Sequence, residues 1–203
     1  MTNSEQQKKE KGRRGYNALY SLFKIIQVLF FPLQRVGMEN IPQGAAVVCA
    51  NHSSYADPVL LALAFTRKYY LRFMAKKELF SVPVLGWAIR NAGAFPVNRA
   101  VNDVGAIRTA MRLLKEGEKL MVFPEGTRVA REDATAAKAG AIRLASKLKV
   151  PLLPVYIPRK KPLFHKVRIV VGEPYFVDDS GGKGDALAEE LMEKINTLRH
   201  AAP

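Results

Sequence analysis

From Arg35 onward, short apolar runs of strand length alternate with segments of helical period, and this alternation limits the fold more than any other feature. Residues 45–50, 70–75, 94–97, 119–123, 152–157 and 167–171 read as strands. Residues 58–65, 84–90, 102–116, 135–148 and 185–199 read as helices. Within 102–116, Val104, Ile107, Met111 and Leu114 keep helical spacing and Gly117 is placed to end the helix. In 185–199, Leu187, Leu191, Ile195 and Leu198 form the inward stripe. Strands alternating with helices imply an α/β fold, with a mixed, largely parallel sheet covered by helices. Ligands of such sheets sit where strands give way to loops at their carboxyl ends. That rule directs attention to Asn51-His52, after one strand, and to the segment from Pro124 to Arg128, after another.

The chain has 203 residues and a 48% hydrophobic content, enough for a core and against wholesale disorder. Its charge is less ordinary: 32 Lys and Arg against 18 Asp and Glu leave a net +14, which favours an anionic partner. The basic residues are spread out, with small clusters such as Lys76-Lys77 and Arg159-Lys160-Lys161. That spread, and the lack of a recognised module, argue against nucleic acid. A lone cysteine, Cys49, excludes an internal disulfide and reads as a buried small hydrophobe.

The expected organisation is an N-terminal part, 1–34, and a main domain, 35–203. Residues 1–14 are polar and basic and read as a mobile arm. For 16–33, the longest apolar stretch, a spanning helix, a signal peptide and a helix lying in the membrane plane or packed in the core compete; Lys24 interrupts the apolar centre a signal peptide needs. The stretch is slightly short for spanning, which needs about 20 residues, and it contains Lys24 and Gln27. Asn17, Ser21, Lys24 and Gln27 make one narrow polar stripe on an otherwise apolar helix. With a basic arm upstream, an in-plane anchor on an anionic membrane surface is the favoured reading, monotopic or peripheral.

The sharpest local feature is Asn51-His52-Ser53-Ser54-Tyr55-Ala56-Asp57. A five-residue separation would put His52 and Asp57 on different faces of a continuous helix. A turn between strand and helix can bring them together instead. The carboxylate would then bond one imidazole nitrogen and leave the other free to take a proton from an alcohol. The plainer alternative makes Asp57-Pro58 a helix start, with Asp as the cap. The segment Phe123-Pro124-Glu125-Gly126-Thr127-Arg128 offers a glycine for close approach and donors suited to phosphate, or else an ordinary surface turn. Lys76 and Arg99 also follow strands and could converge on the same anion, although solvated cations are the default for both.

In order along the chain, these residues resemble the motifs of the glycerolipid acyltransferase family, which includes 1-acylglycerol-3-phosphate acyltransferases. Asn-His-x-Ser-x-x-Asp spans Asn51 to Asp57, and Gly-x-Phe-x-x-x-Arg spans Gly93 to Arg99. Phe-Pro-Glu-Gly-Thr-Arg spans Phe123 to Arg128, and Val-Pro-x-x-Pro-Val spans Val150 to Val155. Asn98 stands where many members carry Asp, and Val129 where Ser is common. No aromatic residue precedes Lys138-Ala139-Gly140. The resemblance implies acyl transfer from acyl-CoA or acyl-carrier protein to a lysophospholipid, giving phosphatidic acid, on the cytoplasmic membrane face and without cofactor or metal. It implies catalytic roles for His52 and Asp57 and a positioning role for Asn51. Lys76, Arg99, Gly126, Thr127 and Arg128 would hold the acceptor phosphate, and Glu125 the glycerol hydroxyls. Competing expectations are another lysolipid as acceptor, a hydrolase using the same pair with water, and a non-catalytic anionic-lipid-binding protein.

Overall fold

The computed structural model describes residues 3–98, 100–101, 103–131 and 136–201, with side chains from Arg14 onward. Seven strands form one sheet: β1 (Leu33–Val36), β2 (Ala46–Ala50), β3 (Leu71–Lys76), β4 (Phe95–Val97), β5 (Lys119–Val122), β6 (Leu152–Tyr156) and β7 (Val167–Val171). Their spatial order is β1-β7-β6-β2-β5-β3-β4. Neighbours run parallel except β6 and β7, which are antiparallel. The sheet is therefore mixed and largely parallel, as the alternation of elements implied.

Strand β2 lies near the middle, between β5 and β6, and all five of its residues are buried. Its near-continuous apolar run, Ala-Val-Val-Cys-Ala, suits a strand covered on both faces. Alternate side chains serve opposite layers. Val47 and Cys49 join the cluster under three helices, α4 (Val104–Lys115), α5 (Gly140–Leu148) and α6 (Gly184–Thr197). Val48 and Ala50 join the cluster under α2 (Asp57–Phe65), whose Leu60, Leu61, Ala64 and Phe65 are buried there. Cys49 is a free, fully buried thiol, and burial pushes its pKa upward.

Four expectations need correction. Helix α1 runs Asn3–Phe30, so it continues upstream through most of the segment read as a mobile arm. Glu, Gln and Lys dominate residues 5–11, and these are good helix formers that extend a helix already nucleated downstream. Strand β1 was not expected, and the domain boundary placed after residue 34 falls inside it. Its short Leu-Gln-Arg-Val sequence lacks a strand signature, yet it pairs in parallel along β7 at the sheet edge. Helix α5 starts at Gly140 rather than at 135, itself outside the described residues. Just before the helix, the Lys138 N–H is committed to the Pro124 carbonyl at 2.8 Å.

The fourth correction concerns how α1 packs. It docks on the molecule through the edge that carries Lys24 and Gln27. Gln27 is buried, accepts a hydrogen bond from Lys24 Nζ at 3.0 Å and donates to the Phe31 carbonyl at 2.9 Å. Tyr16 sits edge-on to Tyr70 at 4.4 Å between ring centres. Leu22, Ile25, Ile26, Val28 and Leu29 face away and are exposed, Ile25 by 64% and Leu29 by 61%. No helix among the described residues is long and apolar enough to cross a membrane, so the spanning reading is set aside. A further helix, α3 (Leu85–Asn91), packs beside α1.

Candidate active site

Strands β2, β5, β3 and β4 are parallel and consecutive, so their carboxyl ends open on one edge of the sheet. Asn51 leaves β2 there and is fully buried. Its amide donates to the Ile157 carbonyl at 2.7 Å and accepts from the Ile157 N–H at 2.9 Å. This side chain extends the β2–β6 ladder by one rung and fixes the chain where His52 begins its turn.

His52 and Asp57 meet across that turn, Nδ1 to Oδ2, at 2.9 Å. The same Oδ2 accepts the backbone N–H of Ser53 at 2.7 Å and of Ser54 at 2.8 Å. The carboxylate thus points back into the turn, and the expectation that it caps its own helix is not met. Asp57 is fully buried. Burial alone would raise its pKa. The hydrogen bonds from His52, Lys161 and Ser53, with the Lys161 charge, outweigh that and hold it below the ordinary value of 3.8. An ionised carboxylate only accepts, so Nδ1 carries a proton, and in the neutral ring the lone pair is then on Nε2. The imidazole stacks on Phe123, ring centres 4.1 Å apart, and its side chain retains 14% exposure.

The segment after β5 is strapped to this turn. The Val129 N–H donates to the His52 carbonyl at 2.7 Å, and the His52 N–H donates to Glu125 Oε2 at 2.6 Å. Glu125 Oε1 pairs with Arg159 at 2.6 Å, and the Arg159 guanidinium also donates to the Val129 carbonyl at 2.6 Å. Both Glu125 oxygens are engaged inside the protein and its side chain is fully buried. The expectation that Glu125 touches glycerol hydroxyls does not fit that placement. Its visible task is to set the backbone of His52. Val129 contributes backbone groups to these bonds, which accounts for tolerance of Val where Ser is common.

The remaining phosphate candidates differ in placement. Gly126 has φ +69°, the left-handed conformation that turns the chain back, and Thr127 and Arg128 behind it are exposed. The Arg128 guanidinium lies 3.7 Å from the centre of the Tyr55 ring, joining this loop to the His52–Asp57 turn. Lys76 ends β3 two strands from β2, or about 10 Å, and is exposed beside Glu78 at 3.8 Å. Arg99 lies outside the described residues. The structure therefore brings Asn51, His52, Asp57, Glu125 and Arg128 into one assembly, with Lys76 along the same edge.

Sequence reasoning passed over Arg159 and Lys161. Lys161 Nζ lies 2.8 Å from Asp57 Oδ1 and donates to Ser53 Oγ at 2.9 Å. The signal was present: both follow β6, and the strand-end reasoning applied to Asn51-His52, Lys76, Arg99 and 124–128 applies there equally. Phe123 and Tyr55 were quoted as motif positions without a contact being expected of them.

The likeness to known proteins agrees with this geometry. The protein-family profile described as Acyltransferase matches residues 33–158. A Bacillus subtilis 1-acyl-sn-glycerol-3-phosphate acyltransferase is 31% identical over 196 residues, covering 91% of this chain and 97% of that protein. The Streptococcus pneumoniae protein of the same name is 33% identical over 157 residues, covering 74% of this chain and 58% of its own length. Among solved structures, the 1-acyl-sn-glycerophosphate (LPA) acyltransferase PlsC of Thermotoga maritima superposes with a TM-score of 0.67 at 28% identity, covering 100% of this chain and 86% of that one. With the profile spanning more than half of its length, this chain belongs to the acyltransferase family.

Proposed function

We propose that this enzyme transfers a fatty acyl group from a thioester to the free hydroxyl of 1-acylglycerol 3-phosphate, giving phosphatidic acid. The relatives' names supply the reaction, and the His52–Asp57 pair at the carboxyl edge of the sheet supplies a means. In this reading His52 Nε2 takes the hydroxyl proton as that oxygen attacks the thioester carbonyl. Asp57 holds the Nδ1 proton and stabilises the imidazolium that forms. Collapse of the tetrahedral intermediate re-forms the carbonyl, breaks the carbon–sulfur bond and releases the thiolate, which takes the proton back from His52. Arg128, Thr127, the Gly126 turn, Lys76 and Arg99 are the proposed phosphate ligands, and Asn51 and Glu125 fix the strand end and backbone that carry His52.

The membrane reading belongs here too. Helix α1 turns its aliphatic residues outward and buries Gln27 of its polar stripe against the protein, the reverse of a helix made for water on its free face. That orientation, with the basic excess of the chain, supports docking in the plane of an anionic bilayer, where a lysolipid acceptor resides.

The deciding assay supplies purified protein with long-chain acyl-CoA or acyl-carrier protein and a panel of lysolipids, following thiol release and product. Acyl transfer to lysophosphatidate is expected. Thiol release at the same rate without any acceptor would replace this reading with a thioesterase.

A further inference from the structure

The reading of His52 as general base carries a difficulty. A carboxylate beside an imidazole favours the charged ring, and a charged ring cannot accept a proton. We infer that Lys161 is a positioning residue whose cation offsets the Asp57 charge and so weakens the pull of that carboxylate on the His52 proton. The inference rests on that general-base reading.

Lys161 is placed for nothing else. An ammonium has three donors. Its charge lies 2.8 Å from Asp57 Oδ1 as an ion pair, and it donates to Ser53 Oγ at 2.9 Å and to the Arg159 carbonyl at 3.3 Å. Ser53 Oγ in turn donates to that carbonyl at 3.0 Å, which closes the network. The side chain is only 5% exposed, and its charged end is engaged inside the protein. Asp57 therefore meets His52 through one oxygen and the Lys161 ammonium through the other.

The other charged groups around the ring do not substitute for it. Glu125, which bonds the His52 N–H, is paired with Arg159, and that pair is neutral as a unit. Arg128 faces the Tyr55 ring from the far side of the turn. Asp57, on α2, is the carboxylate in contact with the ring, and Lys161, from the segment after β6, is its counter-ion. Removing the cation leaves the full carboxylate charge to favour the imidazolium.

Three variants test this. Lys161→Met removes the charge, Lys161→Gln removes it while keeping a donor for Asp57, and Lys161→Arg keeps it. In the first two the acidic limb of the kcat/KM profile moves to higher pH. Rates measured on the parent limb then fall roughly three- to tenfold, whereas rates well above it match the parent. Lys161→Arg restores the parent profile. Lys161→Gln is decisive if Lys161→Met does not fold. Independently of turnover, the His52 ring signal in NMR, identified among the three histidines by its loss in His52→Ala, takes up its proton at higher pH in Lys161→Gln. A limb and ring titration that stay in place, or a uniform loss at every pH, overturn the inference. Full turnover in folded His52→Ala would instead sink the general-base reading and leave the ring titration as the measure of Lys161.

Discussion

At the scale of single residues, the turn from Asn51 to Asp57 carries the proposed chemistry, and its parts are separable by experiment. His52→Ala is expected to lower turnover by about 100- to 10,000-fold with the fold intact. Asp57→Asn should cost a similar factor, because an amide can donate to Nδ1 and stabilise the wrong tautomer. Arg128→Lys keeps charge but loses the planar fork that matches a phosphate and stacks on Tyr55. The acceptor KM should rise about tenfold while the donor KM stays put, and unchanged acceptor saturation would remove the phosphate from this loop. The His52–Asp57 contact was legible as a possibility because a strand end and a helix start bracket the two residues. Lys161 and Arg159 carried only their position after a strand, and a basic cluster on a +14 chain reads as solvated surface. Only the fold shows that Lys161 is 5% exposed and aimed inward.

At the scale of elements, α1 is the part whose pattern and placement diverged. Periodicity gave its polar stripe, but a stripe does not say which side packs, and here the protein takes the side bearing Gln27. Deleting 1–33 is therefore a poor test of membrane binding, since it also removes Tyr16 from Tyr70 and the start of β1. Ile25→Glu with Leu29→Glu alters outward positions alone. Each buried aliphatic side chain contributes about 1.5–3 kcal/mol, so the bound fraction on anionic vesicles should drop by an order of magnitude or more, with activity on a short-chain soluble acceptor preserved. Full retention on vesicles would move the anchor elsewhere. The central strands were readable because burial on both faces makes an unbroken apolar run. Edge strand β1 carries Gln34 and Arg35 in four residues and offers no such run. In the second motif Gly93 is fixed by packing: it has φ +79°, and a side chain there would collide with the Tyr70 hydroxyl.

Across the whole molecule, the site is also a store of pH-dependent stability. The Asp57 carboxyl is held below its ordinary value in the folded state, so its contribution is complete above the unfolded value near 3.8 and is lost as pH falls through the lower folded one. Chemical unfolding of the parent and of Asp57→Asn should therefore differ most near neutral pH, and the gap should close under acid. A constant gap down to acid denaturation would show that the carboxyl titrates alike in both states. The two-sided cover of the sheet was implied by the alternation of elements, and so was the edge where ligands gather. The joint between helix and sheet was not. Only Phe31 and Pro32 separate α1 from β1, the Phe164 N–H donates to the Phe30 carbonyl at 2.8 Å, and their rings lie 5.4 Å apart. So short a connection has little slack. A helix lying flat in a bilayer would then set the tilt of the whole sheet, holding the His52 turn at one height over the lipid, as a keel fixes the trim of a hull.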